Sequence, residues 1–127
     1  MSRGKPHIEF TKLDLNEGWE TPAGYPAGIQ QKILASDLDG TKRSGSRSRL
    51  LRIAAGCFTT KPFVHDHWEE VHLFKGDLIV GNDENGNGGE QFFPSTYACR
   101  PPGVFHGPFK SEHGCLLFEL HYYREPE

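Results

Sequence analysis

The sequence predicts a single all-β domain built as a small barrel, and three observations carry that expectation. Fifteen glycines and nine prolines among 127 residues punctuate the chain too densely for long helices. Several short apolar runs between them alternate with polar residues at the period of two that marks a half-buried strand. The length encloses one core and no more. A barrel is preferred to an open sheet because closure removes exposed edges and leaves an interior suited to a ligand.

Taken in order, residues 1–28 hold Gly4, Pro6, Gly18, Pro22, Gly24, Pro26 and Gly28, which leaves no room for a useful helix. They read as an N-terminal arm with a short strand or two, packing Trp19 and Tyr25 onto a barrel that spans 29–127. Residues 29–35 form the first strand, followed by turns at Asp39-Gly40 and Ser44-Gly45 and a strand over 50–55. Residues 63–74 alternate well. His65, His67, Glu69, Val71 and Leu73 fall on one face, and Val64, Asp66, Trp68, Glu70, His72 and Phe74 on the other. Gly76-Asp77 turns the chain into a strand over 78–80, and the Asn-Gly dipeptides of 83–89 mark a tight turn. Short strands follow over 91–93, 96–99, 104–106 and 115–123, about nine in all, as in a sandwich or barrel.

Composition narrows the function. The net charge of −3 with no basic stripe gives nucleic acid or an anionic membrane nothing to hold. The one basic cluster, Lys42, Arg43, Arg47, Arg49 and Arg52, reads as a solvated loop running into a strand. No apolar run approaches the roughly 20 residues of a membrane helix. Cys57, Cys99 and Cys115 are three isolated cysteines behind an N-terminus with no apolar leader. They read as reduced, mostly buried thiols in a cytoplasm, with Cys99 near the candidate site.

The chemistry lies in His65-Asp66-His67-Trp68-Glu69-Glu70 and in His106 behind Pro101-Pro102-Gly103. Two histidines at i and i+2 of a strand lie roughly 6.5–7 Å apart on one face. Their imidazoles can converge on one ion, a nearby carboxylate adding an oxygen and a distant strand the last ligand. Imidazole and carboxylate together suit one divalent ion, Fe(II) or Zn first, with Mn, Ni or Cu also compatible. A lone His-x-His is more often a surface or capping pair, so the joint pattern carries the weight.

That pattern resembles the cupin superfamily. Glu69 and Gly76 stand as in its Glu-x6-Gly element, and Pro102-Gly103-Val104-Phe105-His106 is similar to its Pro-Gly-x-x-His element. The runs EEVHLFKG, TYACRPPGVFHGP and GCLLFEL look like cupins related to the metal-binding domain of ChrR-type anti-sigma factors, and like the small diketone-cleaving dioxygenases. The resemblance covers about residues 28–122 and implies a single cupin (RmlC-like jelly-roll) β-barrel with His65, His67, Glu69 and His106 at its metal.

One departure leaves the ligand set open. The family places three or four residues between its second histidine and the glutamate, whereas here only Trp68 separates His67 from Glu69. A shortened turn keeps all four as ligands. A fixed distance to Gly76 puts the family's two histidines at Phe63 and His65, leaving His65, Glu69 and His106, with His67 behind them as a donor. A third reading uses Glu70, which parity places on the opposite face unless a bulge intervenes.

Three functions fit. In the first, Fe(II) and O2 act on a small oxygen-chelating ketone or aromatic compound, walled by aromatics drawn from Phe58, Phe63, Trp68, Phe92, Phe105, Phe118 and Tyr122. In the second, Zn saturates a non-catalytic binding or sensing module. In the third, a metal-assisted isomerase or lyase uses Glu119, His121 or Tyr97 as acid or base. Exposed edges, the arm and the resemblance together point to a homodimer.

Overall fold

Eight strands and their connections, with no helix among the described residues 4–124, make up the computed structural model. The strands are β1 (Ile29–Ser36), β2 (Ser46–Ile53), β3 (Trp68–Gly76), β4 (Leu78–Val80), β5 (Glu90–Phe92), β6 (Thr96–Arg100), β7 (Phe109–Lys110) and β8 (Cys115–Tyr122). Five pair in the order β1-β2-β8-β3-β6 and three in the order β5-β4-β7. Every pairing is antiparallel, giving an all-β jelly roll.

Strand alternation builds the core. Leu51 and Ile53 of β2, Val71 and Leu73 of β3, and Cys115 and Leu117 of β8 all point inward, joined by Ile29 and Leu78. Each such side chain, fully buried, contributes about 1.5–3 kcal/mol. The same parity carries inward the polar residues Gln31, Arg49, Glu69, Glu119 and His121, all less than 9% exposed.

The arm packs as the sequence suggests, with Tyr25 stacked on Phe63 at 4.8 Å between ring centroids and Trp19 beneath the Arg52 guanidinium at 4.2 Å. Among its described residues it forms no strand of its own, only the bridge Glu20–Gln31. Two expected strands are also shorter. Residues 63–67 lie outside β3, because Phe63 pairs with His106 through N–H···O bonds of 2.7 and 2.8 Å. That bridge is all that remains of the strand expected over 104–106.

Two turns hold the frame. Asp77 accepts backbone N–H bonds from Glu112 and His113 at 3.0 and 2.8 Å and a side-chain bond from Ser111 at 3.2 Å. Burial alone would raise its carboxyl, but these bonds outweigh it and hold the group below its ordinary range. Just before it, Gly76 sits at φ +84°, where an added Cβ would collide with the Gly114 carbonyl.

Gly76→Ala is therefore expected to cost about 3 kcal/mol or more, adding a backbone collision to the ~1–2 kcal/mol of the left-handed region. At Gly81 the φ is +89° and a Cβ meets nothing within 4 Å, so Gly81→Ala bears only the conformational cost. Urea denaturation midpoints compare the two, and equal losses would contradict the packing argument.

Candidate metal centre

Strand register assembles the site. Across four neighbouring strands one inward row reads Arg47 on β2, His121 on β8, Glu69 on β3 and Arg100 on β6, each aligned with the next. The next row places Arg49 of β2 beside Glu119 of β8. His65 and His67 enter from the segment before β3, and His106 from the turn after β6. Gly103 N–H donates to the His65 carbonyl at 2.9 Å, which ties the two segments together beside the Phe63–His106 bridge.

The imidazoles of His65, His67, His106 and His121 crowd one space. Ring centroids lie 4.7 Å apart for His65–His67 and for His67–His121, 5.0 Å for His65–His106 and 6.1 Å for His65–His121. Glu69 is the hub. Its Oε1 accepts from Arg100 Nη1 at 2.9 Å and lies 3.4 Å from His106 Nε2. Its Oε2 accepts from His121 Nε2 at 2.9 Å and lies 3.9 Å from His65 Nε2.

Two groups of donors lie within 4.8 Å of one another, close enough to share an ion: His65, Glu69 and His106, and Glu69, Glu119 and His121. They differ in what already occupies them. In the second, Arg49 donates to Glu119 Oε1 from Nε at 2.9 Å and approaches it from Nη2 at 2.7 Å, so a cation is already there. In the first, His65 Nε2 is buried with no hydrogen-bond partner. A buried ring nitrogen with no partner is left uncompensated unless something joins it. The first group fits an ion; the second is satisfied without one.

The comparisons agree on architecture. The structure is similar to an acetylacetone dioxygenase from Acinetobacter johnsonii, with TM-score 0.67, 20% identity, and coverage of 96% of this chain and 78% of that one. It is also similar to an RmlC-like cupin from Shewanella frigidimarina, with TM-score 0.64, 16% identity and coverage of 93% and 94%. KdgF from a Halomonas species matches with TM-score 0.63, 18% identity and coverage of 89% and 94%. The chain folds as a cupin. No protein-family model matches the sequence, and no curated protein does.

Among the residues singled out from sequence, His65, His67, Glu69, His106, Glu119 and His121 all reach the interior of the fold. Tyr97 does not: it is 61% exposed on the outer face of β6, its hydroxyl donating to Glu70 at 2.5 Å. Glu70 also faces outward and accepts from Tyr122 at 2.7 Å. Cys99, expected near the site, is exposed on the same outer face because it shares the parity of Tyr97. Several expected wall aromatics face away too: Phe118 is 38% and Phe105 66% exposed, and Tyr122 lies on the outer face of β8. Phe63 stays beside His106 at 6.2 Å, and the walls the sequence missed are Tyr25 and Phe109, which line an enclosed cavity of about 30 Å³ with Glu69 and His106.

The basic cluster needs the largest correction. Arg49 is 3% exposed, and Arg47 reaches the Nδ1 of His121. Both share the parity of Leu51 and Ile53, a period-two signal that a charge-based reading of the loop overrides.

Electrostatics set the protonation states. Burial pushes His65 down to about 4, Glu69 opposing it and the three neighbouring imidazoles adding to it. Burial also lowers His67 and His106, so these rings are neutral near pH 7. Burial would raise Glu119, but Arg49 holds it well below the usual carboxylate range; Glu69, likewise buried, is kept low by its bond from His121.

Two outcomes follow. Between the ordinary histidine value of 6.5 and about 4, the unfolded chain binds protons that the folded His65 refuses. Stability of the metal-free protein should thus be full above that window and fall as pH drops through it. Urea titrations over the range measure the slope, which His65→Gln should flatten. Separately, Arg49→Met strands a buried carboxylate and should cost about 3–5 kcal/mol, with the double variant Arg49→Met/Glu119→Leu recovering most of it.

Proposed function

We propose that this cupin is a metal-dependent oxidoreductase of the dioxygenase type, acting on a small, acidic, oxygen-chelating ketone or aromatic compound. The observation that carries the reading is the buried, unpartnered Nε2 of His65 converging with Glu69 and His106. These three would hold one divalent ion, with His67, whose ring lies 4.7 Å from that of His65, next in reach. The ion, when bound, would supply Lewis acidity and, as Fe(II), a redox-active centre. The dioxygenase neighbour from Acinetobacter supports this class by likeness of fold, which hosts other chemistries as well.

The chain's own residues explain the substrate class. Glu69 is gripped at one oxygen by Arg100 and at the other by His121, so the carboxylate cannot swing. Arg47 donates to His121, Arg49 to Glu119 and Arg100 to Glu69, so three guanidinium groups meet two carboxylates around the site, an excess of one positive charge before any ion binds. An enolate or carboxylate offsets that excess better than a neutral molecule does. Tyr25, Phe63 and Phe109 wall the site with apolar surface, which strengthens each charge interaction beside it.

The enclosed cavity of about 30 Å³ favours a second reading, because it has room for a water-sized group and little more. In that reading the protein binds its metal, Zn for example, without turning over an organic substrate.

Metal titration of chelator-stripped protein and oxygen consumption separate the two. One divalent ion per chain is expected, with affinity falling more than about tenfold in His65→Ala and in His106→Ala. Fe(II)-loaded protein given β-dicarbonyl and hydroxy-aromatic acids should consume oxygen. Metal uptake with no consumption leaves the binding reading; no uptake removes both.

A further inference from the structure

Four imidazoles meet in the interior, and residue type alone does not say which of them offers a bare nitrogen. A neutral imidazole has one N–H and one lone pair, and the group bound at one nitrogen decides what the other can do. At His67 the Nδ1 lies 3.0 Å from the Trp68 carbonyl oxygen, and at His106 it lies 3.4 Å from that of Val104. A carbonyl only accepts, so Nδ1 carries the proton in His67 and Nε2 is bare, whereas at His106 the carbonyl competes with Glu69 Oε1, 3.4 Å from Nε2.

His121 is the reverse. Nε and Nη2 of Arg47 both approach its Nδ1, at 3.1 and 2.8 Å. A guanidinium has no acceptor and keeps its charge in proteins, so Nδ1 must accept. The ring proton is thereby forced onto Nε2, which donates to Glu69 Oε2 at 2.9 Å from a side chain 1% exposed. The contact is set by the sheet, since Arg47 and His121 are register partners, as are His121 and Glu69.

We propose that Arg47 is a positioning residue that holds His121 in its Nε2–H tautomer, turning a fourth imidazole from a metal ligand into a donor that steadies Glu69. The exclusion from the coordination sphere rests on the metal reading above; the tautomer does not. An ion can bind Nε2 of His121 only if the proton moves to Nδ1, and Arg47 occupies that nitrogen with two donors. Loss of Arg47 therefore opens a site with one more imidazole.

Long-range 1H–15N spectra of the histidine rings test this on the full 15N-labelled chain, metal-free and with one equivalent of Zn2+. In the wild type, Nε2 of His121 should carry the proton in both states, while zinc shifts Nε2 of His65 and of His106. In Arg47→Met, Nδ1 of His121 should gain the proton in an observable share, and zinc should move its Nε2 to a metal-bound shift. Arg47→Lys, which keeps a charged donor, should restore the wild-type pattern. A proton on Nδ1 of wild-type His121, a zinc-bound Nε2 there, or an unchanged tautomer in Arg47→Met overturns the proposal. Wild-type spectra alone can do so, should Arg47→Met fail to fold. Zinc that shifts no imidazole in any variant overturns the metal reading and the ligand half of this proposal, while the metal-free spectra still decide the tautomer half.

Discussion

The interior depends on the carboxylate of Glu69. It is 4% exposed and carries its charge far from bulk water, an arrangement that costs several kcal/mol unless partners surround it. The sheet supplies them by register, since Glu69 of β3 lies between His121 of β8 and Arg100 of β6, and each binds a different oxygen. Arg47 on the far side of His121 completes a row that runs cation, imidazole, carboxylate, cation over four strands. Such a row permits little slippage, because a one-residue shift sends every member to the outer face.

His65 and His106 belong to a different kind of construction. Neither stands within a strand; the Phe63–His106 bridge and the bond from Gly103 to the His65 carbonyl bring their segments together over the end of the row. Rigid strands thus fix the carboxylate, while two cross-braced connections deliver the imidazoles to it. Charge-bearing groups on strands and imidazoles on loops is a division that lets one scaffold alter its site without unpicking its core.

Legibility from sequence follows the same division. The all-β class, the turn at Gly76-Asp77 and the strand Leu78–Val80 are local, written in alternation and glycine placement. The inward parity of His65, His67, Glu69, Val71 and Leu73 is local too, and the structure keeps it. The ionic row is not local. That Arg47 faces His121, or that Arg49 neutralises Glu119, depends on which strands pair and at what offset, and β2 meets β8 across more than 60 residues of chain. Composition pulled the other way, since arginines among serines and glycines resemble a solvated loop. Phe118 and Phe105 misled similarly: aromatic character says that a side chain favours burial, while strand parity and loop path decide whether it finds it.

The pairing of charges bears on what the site can accept. The structural neighbours are at most 20% identical among those described above, so they fix the backbone and leave the chemistry to this chain's own side chains. Here the side chains around the site set three guanidinium groups against two carboxylates. The imidazoles of His65 and His106 add no charge, and burial keeps them neutral. A cation entering this space would meet the ring nitrogens of His65 and His106 but an opposing field from the arginines, so it would bind best together with an anion that offsets them. On the proposed reading, a metal and an acidic ligand would strengthen each other's binding, and the affinity of either alone would understate what the pair achieves together.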